Sequence, residues 1–223
     1  MARLLEVGPC GGARVRSLGG SRAGEVRLHR LLHNPRVTPA EMVATAAART
    51  MGLVAGRHVL AIQDTTSLRD DGDQRSLHLH AVIALDAADG TLLGLLHAVL
   101  LRRTGGQRKQ CNSRPFAGKE SHRWLEAAER AAALAAAGGA ARLTVIADRE
   151  GDVYEMFALR PEGSDLLVRV QHDRPLRQEE GGRDAAAEAL TLHAALAAAP
   201  ELGQETLRLP AGPGRGGRRG RPP

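Results

Sequence analysis

Two aspartates stand at positions where chemistry is easy to build. Asp64 directly follows the apolar, β-branched run HVLAIQ (58–63), and Asp148 directly follows RLTVIA (142–147). Short apolar runs of this kind, bounded by glycine and polar residues, predict buried β-strands. If the two strands lie side by side in one sheet, both carboxylates emerge at the same edge. A pair of close carboxylates holds a hard divalent cation such as Mg²⁺, with Mn²⁺ as a substitute. Two such ions roughly 3.5–4 Å apart can clamp the attacking and leaving oxygens of a phosphoryl transfer. The plainer alternative is that each aspartate caps the turn after its strand. The neighbours favour chemistry: Thr65-Thr66-Ser67 after Asp64 offers hydroxyls to orient a carboxylate or meet a phosphate. Arg149-Glu150-Gly151-Asp152 after Asp148 sets a cation beside the acid.

Other candidates are weaker. His78 and His80, two apart on a strand, share a face and could bind zinc, but with His97 they form no convincing ligand spacing. The Gly105-Gly106 and Gly138-Gly139 pairs read as turns or caps, because no phosphate-loop lysine follows them. Cys10 and Cys111 match no metal or redox spacing and read as free thiols of a reducing compartment.

The elements that must position the aspartates follow from pattern. Thr38-Pro39-Ala40-Glu41 is a capping box that opens a helix through about Met51. A polar loop leads into a hairpin, with strands at 77–86 and 91–100 about the turn Ala88-Asp89-Gly90. Residues 119–137 have strong helix propensity and stop at Gly138-Gly139. A further strand is expected at 165–170 and an Ala-rich helix at 184–199. The order strand, strand, strand, helix, strand predicts a mixed α/β domain around a central sheet. With two Phe, one Trp and one Tyr in 223 residues, the core must be filled by Leu, Val, Ile and Ala.

Charge is a poor guide to the site. The net charge is +6, and all but two of the 31 basic residues are arginine, the residue that pairs with phosphate as a fork. Yet residues 1–36 contribute +5 and residues 211–223 contribute +4, which leaves −3 for the region with both aspartates. No run of 18 apolar residues and no signal-peptide pattern is present, so the expectation is a cytoplasmic protein with no membrane partner.

Four blocks, VLAIQDTTSL (59–68), SLHLHAVIALDAADGTLLGLLH (76–97), GKESHRWLEAAERA (118–131) and VIADREGDVYE (145–155), occur in the order found in a known family. From about Arg22 to Leu209 the chain resembles the bacterial DDE transposases of insertion-sequence family four, the branch that contains the cut-and-paste transposon five. The resemblance implies an α/β, ribonuclease-H-like catalytic core with a mixed sheet, followed by the start of a β-rich insertion. It implies that Asp64 and Asp148 are catalytic metal ligands, that the metal is Mg²⁺ (or Mn²⁺), and that the partner is transposon-end DNA. Arg169 matches an arginine near that DNA. Thr65, Thr66, Lys119, His122, Arg123 and Arg149 become candidates for phosphate contact or support, with solvated surface charge as the plainer reading of the charged ones. On this basis residues 1–24 are a disordered or incomplete arm, 25–56 a helical remnant of a DNA-binding region, 57–159 a partial catalytic core, 160–209 the start of the insertion, and 210–223 a disordered Arg/Gly/Pro tail.

The chain also departs from the family. Its third acid stands in a Tyr, Arg, Glu, Lys signature after the insertion. Here the last Lys is Lys119 and the only Tyr is Tyr154, so nothing beyond Asp148 supplies that signature. Glu150, Asp152 and Glu155 are too close in sequence to Asp148 to replace it, although they could lie near the site. The family's C-terminal dimerisation helices have no counterpart, which leaves a dimer with an intact transposase as the expected assembly. The segment AGPGRGGRRGRPP (211–223) can bury almost nothing and begins where the family continues with strand sequence. It reads as a frameshift or pseudogene end, or else as a nucleic-acid-binding arm. The expectation is a truncated transposase that does not cleave DNA alone; the alternative is a DNA-binding remnant that inhibits an intact one.

Overall fold

The computed structural model describes residues 15–68, 77–102, 115–176, 190–201 and 203. The chain forms two compact units, Met1–Gln171 and His172–Pro223. Within the first, the architecture is mixed α/β. A five-stranded sheet of β1 (His58–Leu68), β2 (Leu77–Asp86), β3 (Leu92–Arg102), β4 (Arg142–Ala147) and β5 (Ser164–Val168) has the order β3-β2-β1-β4-β5. β2 runs antiparallel to both β1 and β3, whereas β1, β4 and β5 are mutually parallel. The hairpin turn carries Gly90 at φ 73°, a conformation that favours glycine.

Alternation along the strands decides which side chains are inside. Val59, Ala61 and Gln63 of β1, Val82 and Ala84 of β2, and Leu143, Val145 and Ala147 of β4 all face one side and are buried. Across this face lie α3 (Pro39–Met51) and α4 (His122–Ala137). α4 buries Trp124, Leu125, Ala127, Ala128, Ala131 and Ala135. Its stripe of alanines lets the helix backbone approach the sheet closely, and Trp124 is the largest fully buried side chain. α3 docks on β3 through Thr50, whose single hydroxyl proton is shared between the Ala46 and Leu95 carbonyls (3.0 and 2.8 Å). Thr38 caps α3 by accepting from the Glu41 amide at 3.2 Å, the first half of the capping box. On the opposite sheet face Leu60, Ile62 and Ile146 are half-buried, while Ile83 and Leu167 are exposed.

Several elements differ from expectation. Residues 15–24, read as an arm, are helical: α1 (Val15–Gly19) is followed by α2 (Arg22–Leu32), which Ser21 caps by accepting from the Gly24 amide. Gly/Arg composition concealed that cap. α4 begins at His122 rather than 119, because a 3-10 turn at 116–118 precedes it. After β4, a 3-10 turn at 149–151 and the short α5 (Tyr154–Ala158) lead to β5, which ends at Val168 instead of 170. In the second unit, α6 (Leu192–Ala198) is capped by Thr191, and its upstream strand bridge joins Pro175 to Thr191. The first part of the helix expected at 184–199, both cysteines, the Gly105-Gly106 pair and the 211–223 tail lie outside the described residues. Among the described residues, no helix is long and apolar enough to cross a membrane.

Candidate functional site

Pairing between β1 and β4 ends at Gln63↔Ala147, and pairing between β4 and β5 ends at Ala147↔Val168. The next residues are Asp64, Asp148 and Arg169. Each follows a residue of the same register row, so the three lie side by side, about 5 Å apart along the row. The amide of Arg169 donates to the Ala147 carbonyl at 3.1 Å, which continues the ladder to this row. Gln63 and Ala147 are buried toward α4; by pleat alternation, Asp64, Asp148 and Arg169 leave by the opposite face. All three are exposed. On the other side of Asp64 the row continues through Ala81 to Ala98, two small side chains that leave the space beside the acids open.

Asp148 also caps. Its Oδ1 accepts from the Glu150 amide at 2.9 Å and so starts the 3-10 turn. The capping alternative and the site geometry therefore hold for the same residue. Thr66 Oγ1 points to Asp64 Oδ2 at 3.5 Å, and Arg149 is exposed on the turn.

The other candidates fall on the far side of the sheet. Thr65 follows Asp64 but alternation turns it inward, where its Oγ1 meets His80 Nδ1 at 2.9 Å and accepts from Arg123 Nε at 3.4 Å. Lys119 and His122 flank the start of α4, with the His122 ring edge-on to Phe116 at 5.2 Å. The Arg123 side chain is only 9% exposed and is engaged within the protein. It donates to the Glu120 carbonyl (2.8 Å), to Thr65 and to Glu150 Oε2 (3.3 Å), and lies against the Trp124 ring.

Sequence reading missed a polar ladder beneath this arrangement. His80 is fully buried, packs edge-on against Trp124 at 4.7 Å and approaches Gln63 Oε1 through Nε2 at 3.3 Å. The proton order is dictated by chemistry. Gln63 Oε1 can only accept, so Nε2 of the neutral His80 ring carries the proton and donates to it, which leaves Nδ1 to accept from the Thr65 hydroxyl while that oxygen accepts from Arg123 Nε. Burial, with help from the Arg123 charge and His97, lowers the His80 pKa to about 4, so the ring is neutral at ordinary pH. His78 meets Ser67 Oγ at 3.1 Å. These imidazoles thus serve β1–β2 pairing, and among the described residues no three His, Cys, Asp or Glu side chains converge to hold a metal. The signal was present as two in-facing hydroxyls, at 65 and 67, opposite two in-facing histidines.

Two of the extra acids of the 150–155 stretch, Glu150 and Asp152, are engaged elsewhere. Glu150 is salt-bridged to Arg123. Asp152 is buried, and its Oδ2 accepts from the Gln171 amide at 2.6 Å, which pins the segment just after Arg169.

The chain matches no protein-family model and no curated protein. Its chemistry therefore has to be argued from the row itself. Two exposed carboxylates and a guanidinium in line are hard oxygen donors beside a phosphate-binding fork. A shallow cleft of about 420 Å³ lined by Gly56, Arg57, His58 and Asp86 lies at the other end of β1, and there Arg57 is paired with Asp86.

Proposed function

We propose that this chain is of DDE transposase lineage and that Asp64 and Asp148 form the divalent-metal half of a nucleic-acid phosphoryl-transfer site. The observation that carries this reading is the row Asp64, Asp148, Arg169 just past the end of the parallel pairing of β1, β4 and β5; β1 itself does not stop at residue 63 as its apolar run suggested but continues to Leu68 against β2. The sequence blocks 59–68 and 145–155 that resemble the transposases supply both acids, and the separate match of Arg169 supplies the arginine. A five-stranded mixed sheet, with its helices α3 and α4 on one face, supports the ribonuclease-H-like form of the core.

Mg²⁺ or Mn²⁺ fits the donors present. Both are exposed carboxylates, and Mg²⁺ commonly uses one or two carboxylates together with water and substrate phosphates. When bound, the ion would activate a nucleophile and offset charge on the phosphoryl oxygens. The protein's own part is positional: Asp64 and Asp148 hold the cation, Arg169 draws a phosphate to the same edge, and Ala81 and Ala98 leave room for a nucleic-acid backbone. Transposon-end DNA is the proposed partner, and association with an intact transposase is the proposed assembly.

No residue here matches the lineage's third acid. The proposal is therefore that the chain alone binds metal and DNA without cleaving. Supercoiled plasmid incubated with the chain and Mg²⁺ or Mn²⁺ should stay intact. Nicking that disappears in Asp64→Ala would overturn the inactivity while supporting the site.

A further inference from the structure

We propose that Arg123 is a positioning residue that sets the spacing of Asp64 and Asp148 from the opposite side of the sheet; this rests on the metal-site reading above. One guanidinium grips a residue close in sequence to each acid, one position after Asp64 and two after Asp148. Nε bonds the hydroxyl of Thr65, which directly follows Asp64. Nη2 bonds the carboxylate of Glu150, whose backbone amide in turn holds Asp148 Oδ1. Nη1 ties the same side chain to the Glu120 carbonyl at the start of α4. The β1 end, the post-β4 turn and α4 are thus joined at one planar fork, a geometry that lysine cannot reproduce. The β1–β4 register ends at Gln63↔Ala147, which sets the two acids side by side but leaves no register pair between these strands beyond that point to hold the turn after Asp148 against β1. The fork is a side-chain connection across that gap.

Electrostatics gives the test its sign. A cation near a metal site repels the metal, so loss of the Arg123 charge alone should tighten Mn²⁺ binding. Loss of a positioning contact should weaken it. Mn²⁺ titration by calorimetry, on the full chain, is expected to show about tenfold weaker binding in Arg123→Ala, with Asp64→Asn and Asp148→Asn defining complete loss. Arg142→Ala, an exposed arginine at the far end of β4, should bind as wild type.

Glu150 supplies a second arm if Arg123→Ala does not fold, because its side chain is 59% exposed. Glu150→Gln keeps an acceptor for the fork while Glu150→Ala does not. A positioning role predicts that Gln retains most of the affinity and Ala loses it; equal loss in both would mean that only the charge of Glu150 matters and would overturn the clamp. Arg123→Ala that binds Mn²⁺ as tightly as wild type, or more tightly, also overturns the clamp and leaves the metal site standing. A wild-type chain that binds no Mn²⁺, or binds it equally after Asp64→Asn, overturns the metal-site reading and the clamp together.

Discussion

Asp64 and Asp148 stand side by side, each one residue beyond the last paired positions of β1 and β4. Two like charges on neighbouring strands repel, and although Asp148 caps the 3-10 turn, no bond of the fold requires Asp64 to be an acid beside it. Asp64 beside Asp148 therefore costs stability through repulsion, and the exposed pair is suited to holding a cation. Mg²⁺ or Mn²⁺ should therefore raise the melting temperature of the wild-type chain. At ten times Kd, linkage gives a gain of about 1.4 kcal/mol. Asp64→Asn should melt no lower than wild type without metal and should show no metal-dependent rise; differential scanning calorimetry reads both.

Arg169 extends the same row onto β5 and is exposed. If it contacts a DNA phosphate, Arg169→Ala should weaken duplex binding similarly for all sequences and reduce the log–log salt slope by about one. Gel-shift titrations at several salt concentrations measure that slope, and an unchanged slope would remove Arg169 from the interface.

Gly151 allows the post-β4 turn to close on the core. A Cβ there would stand 2.6 Å from Ala147 Cβ and 3.0 Å from Trp124 Cε3, both in the packed interior. Gly151→Ala should cost about 1–3 kcal/mol in urea unfolding through overpacking. Trp124→Ala, which empties the largest buried side chain, should cost about 3–5 kcal/mol. Because the 3-10 turn carries Glu150 and Asp148, the glycine variant should also weaken Mn²⁺ binding.

His80 gives the fold an acid-side weakness. Its pKa is lowered to about 4 in the folded chain against 6.5 as the ordinary value. Between those values the unfolded chain binds the additional proton, so stability falls as pH drops from about 6.5 toward 4. The slope from one such group is at most about 1.4 kcal/mol per pH unit. His97, also lowered by burial, adds in the same direction. Asp86, held low by the Ala88 amide and Arg57, loses its contribution only at more acid pH. Chemical denaturation across pH 7 to 4 should show a shallower slope in His80→Gln. Nitrogen NMR should place the wild-type His80 proton on Nε2 throughout neutral pH.

Much of this was legible along the chain because it is local. Apolar runs of six residues ending in Asp64 and Asp148, the Thr38 cap and the hairpin turn at Gly90 depend on neighbours within a few positions, and pattern carries such information. The small-residue core also followed from composition. Ser21 capping α2 was equally local but was hidden by a Gly/Arg-rich stretch. Which acids meet was a different kind of fact. That β1 lies between β2 and β4, and that β5 adds Arg169 beside Asp148, depends on parallel pairing between segments far apart in sequence. Periodicity also leaves open which face of a strand is covered. Once α4 covered the Val59, Ala61 and Gln63 face, the pleat sent Asp64 outward and Thr65 inward, so two adjacent residues took opposite roles. Arg123, by sequence a candidate for phosphate contact or support or else a surface charge, is instead engaged with Thr65, Glu120 and Glu150, because α4 delivers it to a largely buried place where hydrogen-bonded partners make its charge tolerable.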